Sequence, residues 1–272
     1  MPATLEGAAG TVALLLSLAL PISILLGGVL FVPRRAAFWS LERARLAATR
    51  HRAVLLGMLG VLALAIVQTQ IDPAVTAALG WDFTPTFRAI EGDVHLRLQQ
   101  AFDLPALTFL LAVVYVIGFP VFTQFTVLLF VWLDAKRLAE RAFAAFALCY
   151  VLALPFYLFF PVSEVWTVGE ARNLALFHPA VEAHLYAFNE VGNCFPSLHT
   201  AMSVALAAVA WQSGHRAYAR FGAVLATLIV VSTILLGIHW ITDVVAGLAL
   251  AALVVVLVDR FLPQTQTDRI SA

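Results

Sequence analysis

Seven stretches of roughly 20 mostly apolar residues, each long enough to cross a bilayer as a helix, dominate this chain and leave it little choice of architecture. They lie near residues 9–32, 53–71, 105–133, 143–162, 196–213, 221–238 and 241–260. In hydrocarbon every backbone polar group must find its partner within the protein, so such runs fold as helices. The expected fold class is all-α: a polytopic membrane helix bundle of about seven transmembrane helices. The composition agrees, with 62% apolar and 12% charged residues against roughly 45–50% and about 25% in soluble domains. The first run lacks a basic leader and is too long for a signal-peptide core, so it is expected to stay as a helix. Pro120 falls inside the third run and predicts a kink there.

Charge sets the expected orientation. Cytoplasmic loops collect Lys and Arg, and of 16 basic residues only Arg88, Arg97 and Arg172 fall outside one set of loops. Arg34, Arg35, Arg43, Arg45, Arg50 and Arg52 follow the first run; Lys136, Arg137 and Arg141 follow the third. Arg216 and Arg220 follow the fifth, and Arg260 and Arg269 end the chain. This predicts a multi-pass cell-membrane protein with its N-terminus outside and its C-terminus in the cytoplasm. The loops 72–104, 163–195 and around residue 239 then face outward. Zero formal net charge and the lack of a basic tract exclude a nucleic-acid partner. Two cysteines, Cys149 and Cys194, are too few for a disulfide framework or a thiolate zinc site, and their separation matches no metal spacing.

The two long outward loops read as structured. Phe87–Phe102 fits either an amphipathic helix on the membrane surface or a plain connector. Trp81, Trp166 and Trp240 read as interfacial anchors. Glu164 reads either as tuning the pocket or as a helix cap, with the cap preferred, and His95, His178 and His184 receive no role. The chain reads as one unit in three parts: residues 1–52, an N-terminal helix and basic loop; 53–262, a six-helix catalytic core; and 263–272, a short tail.

Two clusters on the outward side carry chemistry. The first, Cys194-Phe195-Pro196-Ser197-Leu198-His199-Thr200, opens the fifth run. Pro196 suits the first helical position, and the free amides of a helix start attract an anion. The second is Ser232-Thr233, five residues, then His239-Trp240-Ile241-Thr242-Asp243. On a helix the four-residue spacing puts His239 and Asp243 on one face, where a carboxylate fixes the imidazole tautomer. Alone, each cluster reads as well as a capped helix or an interfacial histidine. Together, at one membrane depth, they supply what phosphoryl transfer through a covalent histidine needs: a nucleophile, its orienting acid, a proton donor and an anion hole.

This pair of motifs resembles the type 2 phosphatidic acid phosphatase superfamily, whose signatures run K-x6-R-P, P-S-G-H and S-R-x5-H-x3-D. The second reads here Pro196-Ser197-Leu198-His199, and the third Ser232-Thr233-x5-His239-x3-Asp243. The resemblance implies a six-helix core with one helix added at the N-terminus. It implies that His239 attacks phosphorus, Asp243 orients it, His199 protonates the leaving group and Ser197 holds phosphate oxygens. The substrate would be a lipid phosphate or phospholipid, and the acceptor water or an alcohol such as inositol, at the extracytoplasmic face. No metal or other cofactor is expected.

The first signature is missing: Lys136 has Phe143 where arginine belongs, and no Arg-Pro dipeptide exists. Thr233 replaces the arginine of the third. These departures look like the inositol phosphorylceramide synthase branch, which transfers head groups between lipids. The segment Phe159–Trp166 sits where that branch carries its replacement for the first signature. At least one of Arg88, Arg97 and Arg172 is expected to replace the missing motif cations at the phosphate, Arg172 first and Arg88 second. Hydrolysis and inositolphosphotransferase-type transfer both stay open. A proton-coupled transporter and a non-catalytic scaffold are the readings of another class.

Overall fold

The computed structural model describes residues 18, 19, 21–32, 40–174, 191–265 and 270. His178 and His184 lie outside the described residues. The molecule is all-helical, as expected. A short apolar helix α1 (Pro21–Phe31) precedes α2 (Leu41–Arg50) and the long α3 (Arg52–Leu79). Two short helices follow, α4 (Thr84–Glu91) and α5 (Val94–Ala101). Next come α6 (Pro105–Val113), a π-helical turn at Val114–Gly118, and α7 (Phe119–Trp132). The remaining helices are α8 (Lys136–Phe159), α9 (Leu198–Gln212), α10 (Arg216–Leu235) and α11 (Ile241–Phe261). Among the described residues five apolar helical segments are long enough to cross a membrane: Arg52–Leu79, Pro105–Trp132, Lys136–Phe159, Arg216–Leu235 and Ile241–Phe261.

The expected fifth span, 196–213, is shorter than the sequence suggests. Helix α9 has 15 residues, about 22 Å at 1.5 Å per residue, against a hydrocarbon core of about 30 Å. It is the hub of the bundle, packed by α7, α8, α10 and α11. Beside Met202 and Leu206, most of its buried positions are small, including Ala201, Ser203, Ala205 and Ala210, and small residues let helix backbones approach in a membrane. Pro196 does not open the helix. Ser197 is the N-cap and accepts the Thr200 amide, so Pro196 precedes the cap.

The third span bends at the π-turn, where the Phe119 amide reaches back five residues to the Val114 carbonyl. Pro120, next in line, has no amide to give, so the ladder changes pitch just before it. This turn faces the site.

One end of the bundle is tied by Arg141, buried near the start of α8. Its guanidinium bonds Gln212 at the end of α9, and Asp259 and the Leu262 carbonyl at the end of α11. The starts of α9 and α11 therefore meet at the opposite end. There Phe87, Val162, Val165, Ala171, Cys194 and Trp240 form a separate buried cluster.

The amphipathic stretch Phe87–Phe102 is two helices, broken at Gly92-Asp93, and it packs on the protein. Phe87, His95 and Gln99 are buried. The segment after α8 joins everything at this end. Phe83 donates to the Pro161 carbonyl, Val162 pairs with the strand-like Gly192–Cys194, and Val165 and Trp166 donate to the Ile238 and Gly237 carbonyls.

Candidate active site

Two crossings bring the motifs together. The first is a close approach of α9 and α11 at Gly247, where a Cβ would lie 2.6 Å from the Ser197 carbonyl oxygen and 2.9 Å from Thr200 Cβ. Any side chain there would pry the helices apart. The Ser197 amide also donates to the Asp243 carbonyl at 3.1 Å. The second is the turn between α10 and α11 at Gly237. Its φ is +76°, and a Cβ would lie 2.6 Å from the Arg172 carbonyl, so only glycine fits both the conformation and the space. After this turn the His239 amide donates to the Thr233 carbonyl at 3.0 Å.

The result is a line of three groups. His199 Nδ1 lies 3.2 Å from His239 Nε2, and His239 Nδ1 lies 3.4 Å from Asp243 Oδ2. That same Oδ2 accepts the Trp240 amide at 2.9 Å, so the aspartate caps α11 while facing the imidazole. Asp243 is fully buried and His239 is 4% exposed. His199 is held by rings from the π-turn region: Tyr115 stacks on it with centroids 4.5 Å apart, and Phe119 packs tilted against it at 4.2 Å. Ser197 is fully buried; its oxygen takes the Thr200 amide, leaving its hydroxyl hydrogen to donate. Tyr157 donates to the Pro196 carbonyl at 2.9 Å and steadies the approach to α9.

Four residues given little or no role from sequence are built into this end. Glu91 is the first. One of its oxygens accepts the Thr242 amide and hydroxyl, the other the Ile241 amide and a bond with His95 Nε2. Burial pushes the Glu91 carboxyl up, but these bonds outweigh it and hold the group below the usual glutamate range. His95 is fully buried and meets the Trp240 ring edge-on at 5.7 Å. Trp240 is not an interfacial anchor: it is fully buried and donates its indole N–H to the Ser163 carbonyl. Trp81, by contrast, is 49% exposed.

Cys194 is the fourth. Its Sγ, a His239 nitrogen and an Asp243 oxygen lie within 4.8 Å of one another. Burial, then the nearby Asp243 charge, push the Cys194 thiol well above its usual range. Counting cysteines could not find this mixed donor set, which forms only when residues 45 or more apart in sequence fold together. Glu164 is buried, and its side chain does not cap a helix. It accepts the Trp166 indole N–H instead.

The arginines stand further out. Arg88 pairs with Glu170 at 2.6 Å and its side chain is 57% exposed. Arg172 is exposed, and its backbone is clamped on both sides by the Gln99 amide. Among the described residues neither guanidinium bonds to His199, His239 or Asp243. Thr233, at the position of the absent arginine, is fully buried, with its hydroxyl on the Val230 carbonyl.

With this geometry in view, comparison with known proteins is direct. The model of the PAP2 superfamily matches residues 85–257, more than half of the chain and all of the site. The chain belongs to the PAP2 superfamily, a membrane phosphatase-type class. It is also similar to an uncharacterized protein of Methanocaldococcus jannaschii, with 36% identity over 101 residues. That match covers 37% of this chain and 39% of the relative. No solved structure matches the chain.

Proposed function

We propose that this chain moves the phosphoryl group of a lipid phosphate through a covalent phosphohistidine on His239. The observation that carries the reading is the ordered line His199–His239–Asp243, in which each ring nitrogen of His239 has a different neighbour. With Nδ1–H directed to the Asp243 carboxylate, the Nε2 lone pair is free to attack. The N–P bond forms as the P–O bond to the lipid breaks, and protonated His199 gives the leaving oxygen its proton. Water or an alcohol then attacks phosphorus, His199 takes that attacker's proton, and His239 is released. The imidazolium-like charge on His239 is offset by Asp243. The 3.2 Å contact between the histidines must open to admit phosphorus, so substrate competes with that contact.

Ser197, the first amides of α9 and the outward arginines Arg172 and Arg88 would meet the phosphate oxygens. No metal takes part. The described basic residues Arg50, Arg52, Lys136, Arg137, Arg216 and Arg260, at the same ends of their helices as Arg141, support a site opening to the extracytoplasmic face.

The missing motif arginines favour a second reading, in which the group moved is a phosphorylated head group and the acceptor a lipid or inositol hydroxyl. Both share the intermediate. The test is rapid quenching of purified protein with phosphate-labelled lipid. An acid-labile, alkali-stable label on protein, lost in His239→Ala, is expected. Label ending in inorganic phosphate assigns hydrolysis, and label ending in an added alcohol or new lipid assigns transfer. A His239→Ala variant of full activity would overturn both.

A further inference from the structure

We infer that Cys194, His239 and Asp243 form a binding site for a zinc-class divalent cation, which silences the enzyme by trapping His239 in the unreactive tautomer. The silencing rests on the phosphohistidine reading; the site itself does not.

Three observations carry the site. Donor atoms of a thiol, an imidazole and a carboxylate converge within 4.8 Å, and all three residues are at most 4% exposed. His239 Nδ1 and Asp243 Oδ2 are 3.4 Å apart, close to the edge of a tetrahedral zinc site with metal–ligand bonds of about 2.0–2.3 Å. Asp243 Oδ1 is buried with no hydrogen-bond partner, an acceptor left open beside a thiol that phosphoryl transfer does not use. A dication with one thiolate and one carboxylate sums to zero charge, which suits a site closed to water. The sulfur–nitrogen–oxygen set favours Zn²⁺ or Cd²⁺ over the oxygen-seeking Mg²⁺ and Ca²⁺.

The consequence for His239 follows from proton balance. In the metal-free site Nδ1 carries the proton and Nε2 the attacking lone pair. On binding, the cation takes the Nδ1 lone pair and the Cys194 sulfur. The thiol proton leaves to solvent, and the imidazole proton moves to Nε2. There it can only donate to His199 Nδ1, 3.2 Å away, and no nucleophile remains.

The test titrates detergent-purified full-length protein with Cd²⁺, whose thiolate complexes absorb in the ultraviolet, and in parallel with Zn²⁺ in a lipid-phosphate turnover assay. Expected is one equivalent of thiolate-bound Cd²⁺ in the unmodified protein and in Cys149→Ser, and none in Cys194→Ser. His239→Gln removes a ligand outright and should weaken Cd²⁺ binding by more than the roughly 10–100-fold that loss of an outer-shell partner costs. Zn²⁺ should suppress turnover in the unmodified protein, while Cys194→Ser, measured against its own metal-free turnover, requires at least tenfold more Zn²⁺ for the same fractional loss. A Cd²⁺ band that survives Cys194→Ser, or no band at all, overturns the site. Equal Zn²⁺ sensitivity in Cys194→Ser, or activation by Zn²⁺, overturns the silencing. Because the Cd²⁺ band needs no turnover, a protein that binds the metal but forms no phosphohistidine would fail only the earlier reading.

Discussion

One carboxylate oxygen of Glu91 accepts both the backbone amide and the hydroxyl of Thr242, at 2.7 and 2.6 Å. The contact spans 151 positions and pins the first turn of α11 to the α4–α5 pair, three residues from His239. Glu91→Gln keeps the shape but offers one acceptor where two are needed, and turns an amide N–H towards an N–H. Leaving a buried amide unpaired costs about 1–3 kcal/mol. The variant should lose that much stability, and its kcat should fall by about 10–100-fold as His239 loses its fixed position. Thermal unfolding and steady-state turnover check both.

The pH dependence has a definite sign. Glu91 is held below the usual glutamate value of about 4.3, so folding favours its charged form. Its stabilisation is fully present above that value and is lost as pH falls through the lower folded-state value. Melting temperature should therefore decline on acidification below about pH 4, and this part of the decline should vanish in Glu91→Gln.

Asp243→Asn preserves an acceptor for the Trp240 amide and removes the charge facing His239. The helix cap should survive and chemistry should not: kcat is expected to drop by about 10²–10⁴-fold, with KM little changed and the melting temperature near that of the parent. A variant above one tenth of parental kcat would refute the orienting role.

Gly247→Ala places a methyl 2.6 Å from the Ser197 carbonyl. Overpacking of this kind costs about 1–3 kcal/mol, and here it also separates His199 from His239. Gly60→Ala is the control. That helical position has nothing within 4 Å of the added methyl, so it should be neutral or stabilising by up to about 1 kcal/mol. Activity should fall in the first variant and persist in the second.

Arg172→Ala and Arg88→Ala separate the two expected phosphate cations. Arg88 already has a partner in Glu170, so its removal should disturb KM less than that of Arg172. Full activity in both variants would remove the arginines from the site.

The motif residues were legible because their information is local. Pro196-Ser197-Leu198-His199 and His239-x3-Asp243 each lie within a turn of a helix start, where spacing alone sets the geometry. Five of the helical spans were legible for the same reason: a run of apolar side chains has no other way to satisfy its backbone in hydrocarbon. The length of α9 was not. An apolar run looks alike whether it faces lipid or is encased by four helices.

What the sequence by itself determined is an all-helical membrane bundle with two histidines and an aspartate at one end. What only the tertiary structure decided is everything that reaches that end from elsewhere. Glu91 and His95 come from the short helices α4 and α5, in which nothing points at residue 242, Tyr115 and Phe119 from the π-turn and the residue after it, and Cys194 from a segment that pairs with Val162. Trp240 looked like an anchor because its neighbours in sequence sit at a membrane boundary; Phe87 and His95 bury it. Such contacts join residues tens to 150 positions apart. They are set by which helices cross closely enough to touch, and here glycines at 237 and 247 set two of those approaches.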